Sequence, residues 1–447
     1  MRDDFVQIEG KHFCLHHTPI RLRGYTLGSW MNLEHFMMGM PGTNSMIHEA
    51  FAQVYGRERA ELFFERLLES MVGPADIAFL RGLGTNTLRI PLGYHWFLDD
   101  LHPDTFVEKG FQQLERVVEL CRRNGLRVIL DLHSAPGGQN NDWHSDNRTG
   151  QSLFWQYDCF QEQTCRLWRE IARRYANDPW VIGYDVLNEP TYGLNREAIN
   201  GFYARVTAAI REVDPHHILF LEGEDFGRSF ELLDVPRDEQ TTFAVHFYPF
   251  VLEEDVLDSS MPDERRWAIF EQIFYRQLKA LEHFDRPLWC GESGYNILEG
   301  QEDFYRKLLL KNISLCEQNG LSWSIWTYKD ARRMGIVVPG KDSPWMRFRA
   351  RVEQKWTHEW EQETSMRLTR SLWELYQLPV CDRLAYDLDF RVRSILHRLE
   401  VEEILKPALA QTPWEQIIQY PASFAFENCE RRQTVIEGLR EVLSSPD

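Results

Sequence analysis

No stretch of the 447 residues approaches the roughly 18 uninterrupted apolar residues of a membrane-spanning helix. Positive charge is in deficit: 50 Lys and Arg face 68 Asp and Glu, a net of −18, which argues against nucleic acid or an anionic membrane as partner. The opening MRDDFVQIEGKHF has neither an apolar h-region nor a small-residue cleavage site, so a cytoplasmic location is expected. There is no C-x-x-C. Eight cysteines, at 14, 121, 159, 165, 290, 316, 381 and 429, form no regular framework, and reduced thiols fit them best. No low-complexity linker or fixed-period repeat separates off a tethered binding module.

What is present is a rhythm. Short apolar runs, Leu22–Leu27, Thr85–Pro91, Leu126–His133, Val181–Glu189, His217–Glu222, Thr242–Tyr248, Pro287–Glu292 and Ser322–Thr327, alternate with stretches of helical period such as Phe111–Arg123 and Phe160–Tyr175. Eight strands with intervening helices predict an α/β fold, a closed (β/α)8 TIM barrel, over residues 21–355. Residues 1–20 predict a small N-terminal β-hairpin that plugs the barrel floor. Past residue 355 the rhythm stops, and residues 356–447 read as a C-terminal helical extension (Glu359–Tyr376, Val392–Ile404, Arg432–Leu443) broken by Pro379, Pro407, Pro413 and Pro421. Its helices pack on the barrel or on a second subunit, which makes them the candidate homo-oligomer surface.

Polar residues gather at the C-terminal ends of the runs, where barrel enzymes place their chemistry. In VIGYDVLNEP the apolar run stops on Asn188 and Glu189, and Pro190 predicts an extended Glu189 as the strand's last residue. Glu292 ends PLWCGE. The two glutamates fall on the fourth and seventh strands, nearly across the mouth from each other, so their side chains converge. Paired carboxylates suit glycoside hydrolysis, in which one acts as a protonated acid and the other as nucleophile or base. Taken singly, each would read as a surface glutamate or a salt-bridge partner.

The motifs TLRIPLGYHWF, DLHSAPGGQN, VLNEP, HFYPF, CGESGY and SIWTYKD together resemble glycoside hydrolase family 5, and RLRGYTLGSWMNLEHF is most similar to its exo-β-1,3-glucanase and β-glucosidase branch. The resemblance spans about residues 10–345. It implies a retaining barrel enzyme with Glu189 as acid/base and Glu292 as nucleophile. It implies Asn188 on the sugar 2-hydroxyl, Arg89 and Tyr248 bonded to the nucleophile, His133 and His246 lining the sugar subsite, and Trp326 as the platform under the ring. Arg89 beside Glu292 would keep that carboxylate ionised, and a less compensated Glu189 would stay protonated. After Trp326 the segment TYKDARR departs from that branch, and residues 356–447 have no counterpart in it.

Further candidates at strand ends are Trp30, Trp96 and Tyr295, whose flat faces suit sugar C–H surfaces, and Glu222, a third mouth carboxylate that serves equally well as a support for neighbouring loops; Trp143, in the long loop from Ser134, lines the pocket or packs that loop. The loop from Ser134 to His144 matches no phosphate-binding pattern, and His133, Asp142 and His144 match no zinc or calcium spacing, so no cofactor and no metal are expected. The sequence therefore predicts a β-glycoside hydrolase acting from chain ends on β-glucosides or short oligosaccharides, its partner being the carbohydrate. The alternatives are another specificity of that family (β-mannosidase, galactofuranosidase, endo-β-glucanase) or a catalytically silent carbohydrate-binding barrel.

Overall fold

The computed structural model describes residues 4–376 and 382–443. Its helices follow directly from apolar spacing. Glu108–Arg123, for example, buries Phe111, Leu114, Val117, Val118 and Cys121 along one stripe, while Glu108 in the first turn and Arg122 and Arg123 in the last complement the helix dipole. The strands are buried runs that carry both a barrel interior and a helix-facing exterior.

Thirteen strands are described: β1 (Gln7–Glu9), β2 (His12–Leu15), β3 (Thr18–Ile20), β4 (Arg23–Thr26), β5 (Thr87–Gly93), β6 (Arg127–Ser134), β7 (Val181–Asp185), β8 (Ile218–Glu222), β9 (Thr241–His246), β10 (Trp289–Glu292), β11 (Ser322–Ile325), β12 (Val337–Pro339) and β13 (Cys429–Arg431). Strands β4 to β11 are paired in sequence order, and β11 pairs in parallel with β4 to close the eight-stranded barrel. Below it lies the small antiparallel sheet β1–β2–β3, with one strand more than the expected hairpin. Val6, Ile8, Phe13 and Leu22 pack there against Ile129, Ile182, Ile218, Phe220 and Trp289, sealing the floor so that a ligand can enter only from the opposite mouth.

Two segments depart from the simple βα repeat. Between β4 and β5 the chain inserts α1 (Asn44–Tyr55), α2 (Arg57–Met71) and α3 (Pro74–Gly82), whose Phe51, Phe63, Phe64 and Leu67 join the main core. After the barrel, α4 (Pro344–Glu353) leads to α5 (His358–Tyr376) and α6 (Asp382–Glu400), and the chain ends with α7 (Gln433–Leu443). The second helix of the extension begins ten residues earlier than its apolar spacing suggests, and β13 pairs with β12, so the extension is partly sheet. Leu405, Phe424 and Leu439 belong to the barrel's own core cluster, so the extension packs on the barrel. Pro379 and Cys381 lie outside the described residues; no disulfide links the seven described cysteines. No described helix is long and apolar enough to cross a membrane.

Strand β7 stops at Asp185, four residues before Glu189. Glu189 is not extended, as Pro190 had suggested, but sits at φ 49 in the left-handed region. Tertiary hydrogen bonds override the local preference: Val186 N–H donates to Phe220, Asn188 N–H to Leu132, and Glu189 N–H to the Glu222 carboxylate at 2.7 Å.

Candidate active site

Arg89 is the hub of the barrel mouth. It projects from the middle of β5 and is fully buried. Its Nε and Nη2 donate to Asp185 Oδ2 at 3.0 and 2.9 Å, and Nη2 also donates to Asn188 Oδ1 at 2.8 Å and to Glu222 Oε1 at 3.3 Å. Asp131 Oδ1 lies 3.2 Å from Nη2, and Nη1 donates to Glu292 Oε1. Burial works against the cation, but Asp131, Asp185, Glu292 and Glu222 outweigh it and hold the guanidinium charged. One cation cannot neutralise four carboxylates. Burial and the neighbouring Glu222 push Asp185 well above the ordinary carboxylate range.

Glu292, at the end of β10, is buried; its Oε2 accepts from the Tyr248 hydroxyl at 2.9 Å. Glu189 approaches from the loop after β7. Its Oε1 lies 2.7 Å from His246 Nδ1 and its Oε2 lies 2.9 Å from His144 Nε2. One ligand atom each of Glu189, His246 and Glu292 lies within 4.8 Å of the other two, so the two carboxylates face each other across a short gap. These three atoms have the spacing of a metal site, yet Arg89, Tyr248 and His144 already satisfy the carboxylates.

The protonation pattern differs from the sequence expectation. Glu189 was expected to be the less compensated carboxyl. Burial does oppose its ionisation, but the hydrogen bonds to His144 and His246 prevail and hold it well below the ordinary range. His144 is correspondingly raised, against burial, by Glu189, to about 8. His246 is raised well above its usual value, against burial, by Glu222 and Glu292. Both shifts favour an anionic Glu189 beside a protonated His144, with the proton of the pair held on the imidazole. His144 Nε2 is met by Glu189 Oε2 and, at 2.8 Å, by Asn140 Nδ2. With a proton on this nitrogen, His144 donates to a Glu189 carboxylate. Without one, the nitrogen accepts, and the proton resides on Glu189.

His133 Nδ1 lies 2.8 Å from Asp131 Oδ2 and its Nε2 lies 3.3 Å from Glu34 Oε1; burial lowers its basicity, but Asp131 and Glu34 raise it to about 10. Its ring stacks on Trp326 at 5.0 Å and 8°. Asn188 is fully buried with Nδ2 unpartnered among the described residues, a donor suited to a ligand. Glu34, buried at the same mouth, was not singled out from the sequence. Its signal was its place in GSWMNLEHF immediately after the first barrel strand. Asp131, Asp185 and His144 were likewise missed as parts of the charge network.

The remaining candidates divide. Trp30 is buried and donates its indole N–H to Leu68, and Tyr295 is buried and donates to Asn312, so both are core residues rather than open sugar platforms. Glu222 is fully buried beneath the mouth, 3.2 Å from His246 Nε2, and holds Glu189 and Arg89 rather than facing the opening. Trp96 lines a separate cavity of about 530 Å³ with His48, His95 and Asp100, whose lining includes neither Glu189 nor Glu292. Trp143 stands at the mouth beside His144 and packs edge-on to His35 and His358. His133, Asp142 and His144 do not gather around a common point; His133 turns to Asp131 and Glu34.

The C-terminal extension reaches this mouth. Asp387 of α6 accepts from Asn141 at 3.1 Å and from Tyr192 at 2.5 Å, Tyr386 packs on Tyr192 and Phe226, and Arg393 lies over Trp143. Helix α6 therefore walls the loops after β6, β7 and β8.

The family model described as Cellulase (glycosyl hydrolase family 5) matches residues 69–332. A beta-xylosidase of Phanerodontia chrysosporium is 35% identical over 95% of this chain and 94% of its own length. A probable glucan 1,3-beta-glucosidase A of Emericella nidulans is 30% identical, over 45% of this chain and 51% of its own. Among solved structures, an endoglucanase of Thermotoga maritima superposes with a TM-score of 0.52 at 17% identity, covering 70% of this chain and 91% of that one, a likeness of fold.

Proposed function

The chain belongs to glycosyl hydrolase family 5, and from that premise we propose that it is a retaining, exo-acting β-glycosidase whose substrates are small β-glucosides and β-xylosides. The observation that carries this reading is a carboxylate oxygen of Glu189 within 4.8 Å of one of Glu292, an approach that supports the short carboxyl separation of retaining enzymes over the wider gap of about 6.5–9.5 Å that admits a water in inverting ones.

In the first step the Glu292 carboxylate attacks the anomeric carbon while Glu189 passes its proton to the glycosidic oxygen, and the aglycone leaves as an alcohol. Arg89 and Tyr248, both donating to Glu292, hold it in line and stabilise it again when it departs. In the second step Glu189, now a carboxylate, takes a proton from water, which attacks the same carbon and releases Glu292. His144 supports both roles because its Nε2 can hold or yield the proton across 2.9 Å. Asn188 Nδ2 is the donor suited to the sugar 2-hydroxyl, and the Trp326–His133 stack the surface suited to the ring.

Action from chain ends is supported by α6, which closes one side of the mouth where an endo-acting enzyme needs an open cleft. The pairing of glucosides with xylosides rests on the full-length similarity to a beta-xylosidase and the partial similarity to glucan 1,3-beta-glucosidases. The two sugars share three equatorial hydroxyls and differ by the hydroxymethyl at C5.

The test is a panel of aryl β-glycosides with wild type and Glu292→Ala. Wild type is expected to cleave glucoside or xyloside. Glu292→Ala should be nearly inactive, and azide should restore turnover with a glycosyl azide of inverted configuration. No cleavage of any glycoside by wild type ends the reading; an active Glu292→Ala ends the nucleophile assignment.

A further inference from the structure

A second cluster of imidazoles and carboxylates lies outside the site just described, where the extension meets the barrel. His35 stands in the single turn His35–Met38 after β4, His358 and Glu361 one turn apart on α5, and His397 near the end of α6. His35 and Glu361 are fully buried and His397 nearly so. His397 Nε2 lies 2.9 Å from Glu361 Oε1, and His35 Nε2 lies 3.5 Å from Glu361 Oε2 and 3.0 Å from His358 Nδ1. Donor atoms of His35, Glu361 and His397 all fall within 4.8 Å of one another.

Hydrogen bonding alone leaves this cluster incomplete. Nδ1 of His35 and Nδ1 of His397 are buried without a partner among the described residues, on the ring edges away from Glu361, while Glu361 Oε2 also accepts from Trp356 Nε1 at 3.0 Å. The buried Glu400 lies against Glu361, and the nearby cations are already engaged, Arg393 with Asp389 at 2.8 Å and Arg332 with Glu359 at 2.6 Å. Imidazole nitrogens with a single carboxylate suit zinc and its first-row neighbours; calcium and magnesium require more oxygens. With metal–ligand bonds of about 2.0–2.1 Å, tetrahedral ligand atoms sit roughly 3.3 Å apart, close to the spacings found here.

We propose that His35, Glu361 and His397, with His358 beside them, bind one divalent cation of the zinc class that staples the C-terminal helices to the barrel. Its position has a functional consequence: His35 and His358 both pack on Trp143, the neighbour of His144, so the ion fixes the loop that holds Glu189. The site stands independently of the glycosidase reading.

The experiment uses the full chain without a histidine tag, dialysed against metal-free buffer and analysed by inductively coupled plasma mass spectrometry, followed by removal with dipicolinate and reconstitution with Co²⁺. About one equivalent of zinc-class metal per chain is expected, with cobalt d–d bands of four- or five-coordinate intensity. His397→Ala and Glu361→Gln should lose the metal, and Glu292→Gln should keep it. Should the first two fail to fold, wild-type stoichiometry and the cobalt spectrum decide. Less than about a tenth of an equivalent and no cobalt spectrum in wild type overturn the proposal, as does metal that disappears with Glu292→Gln and persists in His397→Ala.

Discussion

Replacing His144 with Gln tests the reading of the acid/base pair most sharply. In the wild type, His144 and Glu189 hold one proton between them, and His144 is raised to about 8. That proton, on either partner, is what the first chemical step consumes, so the alkaline limb of kcat/KM should fall near pH 8. In the variant the His144 imidazole no longer holds it. Glu189 must carry the proton alone beside a charged His246, which lowers it below an ordinary glutamic acid of about 4.3. Losing the His144 hydrogen bond, about 1.5–3 kcal/mol or one to two pKa units, returns Glu189 toward that ordinary value without exceeding it. The alkaline limb should therefore move acidward by more than about three units, from near 8 to about 4.3 or below, and at pH 7 kcat/KM should fall about 500-fold or more while the loss at the new acid optimum is smaller. The assay is kcat/KM from pH 4 to 9 on phenyl and 4-nitrophenyl glycosides. The phenyl substrate, which needs the acid, should show the shift fully, and the 4-nitrophenyl substrate only weakly. An alkaline limb that stays near pH 8 with the phenyl glycoside refutes the shared-proton account.

Two further outcomes follow from other contacts. Asn188→Ala should lower kcat/KM by about 10²–10³ on a glucoside but far less on its 2-deoxy analogue, because the buried amide's free donor has no partner there; equal losses on both substrates would assign Asn188 to structure alone, through its bond to Arg89. His95, close to Asp100 and Asp146, is lowered by burial but raised by these carboxylates to about 9. A pKa raised above the unfolded value of about 6.5 contributes stability that is complete below that pH and lost as pH rises through about 9. The excess melting temperature of wild type over His95→Gln should accordingly be constant from pH 5 to 6.5 and shrink by pH 9. A constant excess across that range would remove the charged pair as its source.

Much of the barrel was legible because periodicity is a local property. The eight apolar runs and their helices state their burial in their own residues, and Glu189 and Glu292 could be placed on opposite walls by counting strands. Strand ends were less legible. The run Val181–Leu187 is apolar past Asp185, but the continuous pairing of β7 ends there, and beyond it Val186 and Asn188 make single bonds to Phe220 and Leu132. Trp30, Tyr295 and Glu222 followed strand ends as Trp326 does, yet a position in sequence does not say which side of a strand end a ring or carboxylate takes.

The sequence by itself determined the architecture and the pair of glutamates, since pattern and spacing suffice for both. Only the tertiary structure decided which carboxyl is compensated. The fields at Glu189 arise from His144 and His246, 45 and 57 residues away along the chain, and from Glu222 beneath. The same holds for its left-handed backbone and for the part played by residues 382–400 at the mouth. Electrostatic energy depends on distance in space, and hydrogen bonds such as that of Glu189 N–H to Glu222 can override a dipeptide's preference, so neither could be read before the chain was folded.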